Sequence, residues 1–305
     1  MAGQLWMVNS LGGYLYSPHL SRKLREQAQT LCKFRQFCDI KESFGSQRGD
    51  TVNWEKVSNI STAGGVLVET STIPKHQFNI TKGTLSLDEY GNAIPYTQKV
   101  KALSEFKIDS VIGQRLRDDQ VKVLDSAIEA EFDRCKWRYV ATGTAAGSVS
   151  GTDGVPVGTC NSQLNSQHAR KIIDFMLANN VPYFDGEGYA AILSVDAASG
   201  LYSSLEQVMQ YTKFPQNGEI GRYYNCRFIR ETNSLNNNIG AGGAYGEAYF
   251  FGAETVMEAV AVPEELRTMS DDFGRSLAMA WYSILGFKIM WEMDPDCRIV
   301  KFDSE

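Results

Sequence analysis

A chain of 305 residues is long enough to bury a large core and falls where one core begins to divide, so two lobes are expected. With 43% hydrophobic and 22% charged residues, the composition is that of a globular protein and excludes a disordered or fibrous chain. Thirty Lys and Arg against 36 Asp and Glu leave a formal charge of -6, which excludes a nucleic-acid binder that is basic throughout and leaves room for local contacts alone.

Ser17-Pro18 opens the first predicted element, because Ser is a favoured cap and Pro suits the first helical position. Leu20, Leu24, Ala28, Leu31 and Phe34 recur at helical spacing to about Cys38, with Arg22, Lys23, Arg25, Glu26 and Gln29 on the other face. Residues 1–48 therefore read as an amphipathic N-terminal arm.

After Gly45 and Gly49-Asp50 the period changes to two, with Val52 and Trp54 alternating with Asn53 and Glu55 as in a half-buried strand. Residues 61–74 are rich in Ser, Thr and Gly, and strand-like alternation returns over 77–103 in Phe78, Ile80, Leu85, Leu87, Ile94 and Tyr96. Pro95 cannot donate to a ladder and points to an edge strand. Residues 49–103 thus form a predicted extended, hairpin-like loop. A two-stranded ribbon is marginal in water by itself, so this one is expected to rest on something outside its own subunit.

Residues 109–139 carry the strongest helical pattern, with Ile112, Leu116, Val123, Leu124, Ala127, Ile128, Phe132, Cys135 and Tyr139 on one face. The Gly/Ser/Thr-rich stretch 143–158 reads as a loop and a boundary, closing a segment 104–160. A compact α/β lobe over 161–251 follows, with helices at 166–178 and 196–211 and strands at 189–195 and 222–231. After an irregular loop at 233–246, strands are expected at 248–251, 256–262, 277–293 and 298–302. Asp294-Pro295-Asp296 would turn the last two into a hairpin. Residues 252–305 are expected to return to the sheet that packs on the long helix.

The six cysteines, Cys32, Cys38, Cys135, Cys160, Cys226 and Cys297, form no C-x-x-C pair and have no His at ligand spacing, so they read as reduced core thiols. The start of the chain shows no basic leader followed by a long apolar run and no later stretch approaches a membrane span, so a cytoplasmic protein without membrane contact is expected. Gly143-Thr144-Ala145-Ala146-Gly147 lacks the Gly-Lys-Ser/Thr of a phosphate loop, and Gly64-Gly65 lacks the spaced glycines of a dinucleotide site. His19, His76 and His168 have no partner at ligand spacing and read as surface or capping residues. Arg48-Gly49-Asp50 reads as a turn, and the doublets Glu264-Glu265 and Asp271-Asp272 as solvated acidic surface. No catalytic residue, metal ligand or cofactor site is assigned.

Three motifs resemble podovirus-type major capsid proteins of tailed bacteriophages. They are Gly49-Asp50-Thr51-Val52-Asn53-Trp54, Gly218-Glu219-Ile220-Gly221-Arg222 followed by Cys226-Arg227-Phe228-Ile229, and Cys297-Arg298-Ile299-Val300. With the order of elements, the resemblance implies an α+β fold of the Hong Kong 97 type. Its parts would be an N-terminal arm, an extended loop lying on a neighbour, a peripheral domain holding a spine helix, and an α/β axial domain.

It also implies a coat protein that joins copies of itself through pentamers and hexamers into an icosahedral shell around double-stranded DNA, located in the virion and in host cytoplasm during assembly. The candidate contacts between subunits are Val52, Trp54, Lys75, Phe78, Ile80, Lys82 and Leu85 on the loop and Arg22 and Arg25 on the arm. Arg22, Lys23 and Arg25 are equally candidates for weak contact with DNA. Lys75 and Lys82 lie where some members of this fold cross-link, but non-covalent assembly is expected. A portal protein, and scaffolding or cement proteins, would be separate chains. The alternatives are an encapsulin-like shell protein and a soluble two-domain α/β enzyme.

Overall fold

The structure, a computed structural model, describes residues 29–38, 40–43, 49–58, 60, 65–67, 69, 72–73, 75–156, 158–209 and 219–303. The arm at 1–28, with Arg22 and Arg25, lies outside the described residues. Where the expected first helix continues into them, 29–33 is irregular and Phe34–Phe37 is a single 3-10 turn, leading into strand β1 at Ile40–Ser43. Phe34 and Phe37 explain the difference: both are buried against Phe132, Tyr249, Phe184 and Phe251, a wedge of aromatic rings that an amphipathic surface helix could not insert.

Three sheets organise the rest. Strands β2 (Thr51–Val57) and β3 (Ile80–Ser86) pair antiparallel as an isolated ribbon. Strand β4 (Asp88–Thr97) forms the edge of a four-stranded sheet, ordered β1, β11 (Val256–Asp271), β12 (Ser276–Ile289), β4. Pro95 therefore lies on an edge strand as its missing N–H requires. The strand expected to reach Leu103 ends at Thr97, whose hydroxyl accepts from Val100 N and starts the short helix α1 (Gln98–Leu103).

Helix α2 (Ile108–Phe132), about 38 Å long at the usual rise, joins two of the three buried clusters of the described residues. Its first half buries Ile108, Ile112 and Leu116 with Tyr96 and Trp281 on the four-stranded sheet. Leu124, Ile128 and Phe132, continuing the same four-residue spacing, enter the main core. Trp281 Nε1 and Asn92 Nδ2 both donate to Asp119, each at 2.9 Å, and Tyr96 donates to Asp109 at 2.8 Å, fixing the helix to β12 and β4.

The helix stops seven residues before the expected Tyr139. Trp137–Ala141 is instead strand β5, every residue of it buried, since its bulky side chains pack on both faces of a sheet where a helix would expose half of them. Cys135 is buried beyond the helix end.

The second sheet has seven strands in the order β6 (Gly147–Gly151), β5, β13 (Ile299–Asp303), β10 (Ala248–Phe251), β7 (Tyr189–Leu193), β9 (Cys226–Arg230), β8 (Glu219–Tyr223). Helices α3 (Ser166–Ala178) and α4 (Val195–Met209) pack on it. Asn165 caps α3 by accepting from Gln167 N and His168 N, both at 3.0 Å.

Three further sequence expectations are corrected. The loop at 143–158 contains β6, paired with β5. The single strand expected at 222–231 is a hairpin, turned by Tyr224 and Asn225 at φ 50° and 58°. The last strands form no hairpin: β12 stays in the four-stranded sheet, while β13 enters the seven-stranded one between β10 and β5. Nearby, Asp294 accepts from Trp137 Nε1 at 2.7 Å. Thus 137–151 and 299–303, expected in other segments, belong to the same sheet as the α/β lobe.

Candidate assembly interface

The ribbon has two faces, as its register dictates. Val52 pairs with Leu85, Trp54 with Gly83 and Lys56 with Thr81 on one face; Asn53 pairs with Thr84, Glu55 with Lys82 and Val57 with Ile80 on the other. The first face lies on the subunit's own four-stranded sheet, where Val52 and Leu85 are buried with Met257 and Ala259, flanked by Trp54, Leu87 and Met290. Gly286 allows this approach, because a Cβ there would strike Leu85 and the Ser86 carbonyl. Gly83 likewise leaves the room that the Trp54 indole fills.

Val52 and Leu85 are therefore corrected as contact candidates. At 5% and 0% exposure they anchor the ribbon within the chain and have almost no surface left for a neighbour. Trp54 is half-buried in the same cluster.

The far end differs. Val57, Ile60, Val66, Leu67, Ile73, Phe78 and Ile80 are all more than half exposed, and Lys75 and Lys82 are exposed beside them. Single exposed apolar residues are ordinary on a surface, whereas a run of seven along one stretch of chain is not. Cross-strand pairing of Glu55 with Lys82 keeps the outer face polar up to Val57 and Ile80.

A second projection escaped the sequence reading. Strand β11 runs well beyond the expected 262, across two register shifts, and returns through Asp272–Gly274 into β12. Met269 and Phe273 stand exposed along it. Asp271-Asp272-Phe273-Gly274 carries turn chemistry between two alternating runs, a signal sufficient to place a hairpin there. Asp271 caps the turn by accepting from Asp272 N at 2.7 Å, so its doublet serves the turn.

Two carboxyl groups with raised pKa lie on α2. Burial pushes Asp125 up to about 7, and burial likewise pushes Glu129 to about 7 although Tyr249 donates to it at 2.9 Å. Neither lines the surface hollow around Asp185, Arg222 and Arg227 or the one around Asn179, Trp291 and Arg298. His168 is corrected from a surface or capping role to a core histidine: it is fully buried, shares a 3.0 Å hydrogen bond with the Tyr139 hydroxyl, and burial lowers its pKa. Among the described residues no group of three or more His, Cys, Asp and Glu is placed to hold a metal ion. The six cysteines are unbridged thiols, five of them buried.

No protein-family model matches the sequence, and no curated protein matches it. Solved structures do. The capsid of Ralstonia phage GP4 aligns over 98% of this chain and 98% of its own, with a TM-score of 0.69 and 12% identity. The capsid of the cyanophage P-SCSP1u aligns over 95% and 93%, with a TM-score of 0.65 and 12% identity. The head of Helicobacter pylori bacteriophage KHP40 aligns over 95% of each chain, with a TM-score of 0.62 and 13% identity. The chain has the α+β fold of these phage capsid chains.

Proposed function

We propose that the chain is the major coat subunit of a tailed bacteriophage, of the Hong Kong 97 type, and that it works by packing against copies of itself. The observation that carries this reading is the likeness to phage capsid chains over nearly the whole length of both partners. A likeness confined to one lobe would fit many α/β proteins, but the fold here includes the ribbon, the long helix and both sheets together.

In this reading pentamers and hexamers form around the seven-stranded lobe, and the ribbon end from Val57 to Ile80 lies on an adjacent subunit. Trp54, Lys75, Phe78, Ile80 and Lys82 are the contact residues proposed on it, with Arg22 and Arg25 on the arm. Many such contacts, each weak enough to rearrange, close into an icosahedral shell that resists dissociation as a whole. Double-stranded DNA is held inside by few, sequence-independent contacts, as the acidic balance of the chain favours. A portal protein, and scaffolding or cement proteins, complete the shell; the chain has a structural and not a catalytic role. Its place is the virion capsid, reached from the host cytoplasm.

Light scattering and negative-stain microscopy of the expressed chain test the proposal. Rings, or shells of uniform curvature, are the expected result. A species of one chain's mass at all concentrations, with and without its phage's scaffolding protein, overturns it.

A further inference from the structure

Two carboxylates meet where the segment 29–38 crosses the long helix. Asp125, on α2, is 1% exposed, and Glu231, just after β9, is fully buried. The Asp125 carboxylate accepts from Phe34 N at 2.8 Å and also from the backbone of Arg35. Glu231 accepts from the backbone of Asn233, of Ser234 at 3.1 Å and of Leu235 at 3.2 Å, and the same Asn233 reaches the other acid, its Nδ2 lying 3.5 Å from the Asp125 carboxylate. The crossing is tied further by Thr232 N to the Leu31 carbonyl at 3.1 Å, Leu31 N to the Thr232 hydroxyl at 2.8 Å, and Thr30 to Asn233 at 3.1 Å.

Two carboxylates buried beside one another and bound to the same asparagine repel when both are ionised, so the pair favours keeping a proton on one of the two acids. We propose that the Asp125–Glu231 pair holds one shared proton, and that this proton latches segment 29–38, the base of the N-terminal arm, onto the body of the subunit. Loss of the proton leaves two negative charges in contact, out of water, and loosens the crossing.

One cation lies among the surrounding groups. From α2, Lys122 offers a cation near the site, and its backbone carbonyl accepts from Asn233 at 3.2 Å. From the segment, the Cys32 thiol is pushed up, by burial first and then by Asp125 and Glu231, and so adds no positive charge. The Arg35 guanidinium is directed away, to Glu258 at 2.6 Å and to Glu264. Asn233 Nδ2 reaches Asp125 at 3.5 Å as a neutral donor.

The direction with pH follows. Asp125 is raised to about 7, by burial and then by Glu231, and Glu231 is raised by burial. A raised acid stabilises the closed form fully below its ordinary carboxylate range, and that stabilisation is lost as pH rises through the folded value. If the closed form carries one proton more than the open form, the latch weakens up to about tenfold per pH unit until about pH 7 and then levels off.

The test is hydrogen exchange of the full-length protein from about pH 5 to about pH 8, corrected for intrinsic exchange, comparing the peptide 29–38 with the core strand β7. Protection of 29–38 should fall with that slope and plateau while β7 holds. Asp125→Asn, which donates to Glu231 without a shared proton, should flatten the profile; Glu231→Gln should do the same and serves if the first variant misfolds. A wild-type profile for 29–38 that parallels β7 overturns the latch, and so does an unchanged slope in the variants.

Discussion

The β2–β3 ribbon and the seven-stranded lobe are both sheets, yet they bury their apolar residues in different places. In the lobe, β5, β7 and β10 are buried at every position, and the rings of Phe37, Phe132, Phe184 and Phe251 meet edge to face within 5.2–5.7 Å. In the ribbon Val52 and Leu85 are buried against the chain's own sheet and Lys56 lies over the Trp291 ring, while the described large apolar residues Val57, Ile60, Val66, Leu67, Ile73, Phe78 and Ile80 are more than half exposed. The lobe thus buries β5, β7 and β10 within a single molecule. The ribbon is complete only as far as its anchor, and the surface it leaves uncovered is the part for which a neighbouring copy is proposed.

The largest effect should come from opening the lobe. Phe251→Ala removes a fully buried ring from the cluster that joins segment 29–38, α2 and the sheet, with an expected loss of about 3–5 kcal/mol in denaturant unfolding. A loss below about 1 kcal/mol would show that the lobe is as loosely packed as the ribbon, and the contrast would vanish.

Leu85→Ala tests the anchor. The residue is fully buried against β11 and β12, so a loss of about 2 kcal/mol is expected, at the low end for a buried leucine because the exposed ribbon can settle into the space. Hydrogen exchange should place that loss in β2 and β3 and leave β7 unchanged. Equal loss of protection in both sheets would mean that the ribbon and lobe unfold as one unit.

Local chemistry was legible in the sequence where it decides the structure. Asn165 before an amphipathic run marks the start of α3, and Ala248–Phe251, apolar throughout, is the central strand it reads as. The spacing of Ile112, Leu116, Leu124, Ile128 and Phe132 identifies the buried face of α2. Its end was not legible, because Trp137, Tyr139 and Val140 suit a buried helix and a buried strand alike, and pairing with β6 on one side and with β13, distant in sequence, on the other decides between them. The hairpin between β8 and β9 has no glycine at its turn and so gave no signal. At the candidate interface, alternation marked Val52 and Leu85 as strand residues but could not tell which body covers them; Met257, Ala259 and Gly286 of the same chain do.

The smallest effect on the subunit should accompany the largest on assembly. Phe78 and Ile80 are both more than half exposed and lie outside the buried clusters of the described residues, so replacing both with Ser removes little packing within the subunit beyond the Val57–Ile80 pair. Unfolding of the dissociated subunit should shift by no more than about 0.5 kcal/mol, as expected for surface positions. If these side chains rest on a neighbour, the same pair of changes exposes two buried apolar groups at every copy of the contact. A shell repeats that contact many times over, so a modest loss at each should be enough to shift the sedimentation profile from shells toward free subunits. Shells that form at wild-type yield would show that the exposed end of the ribbon has no part in joining subunits, and would move the search to Met269 and Phe273 on the second hairpin.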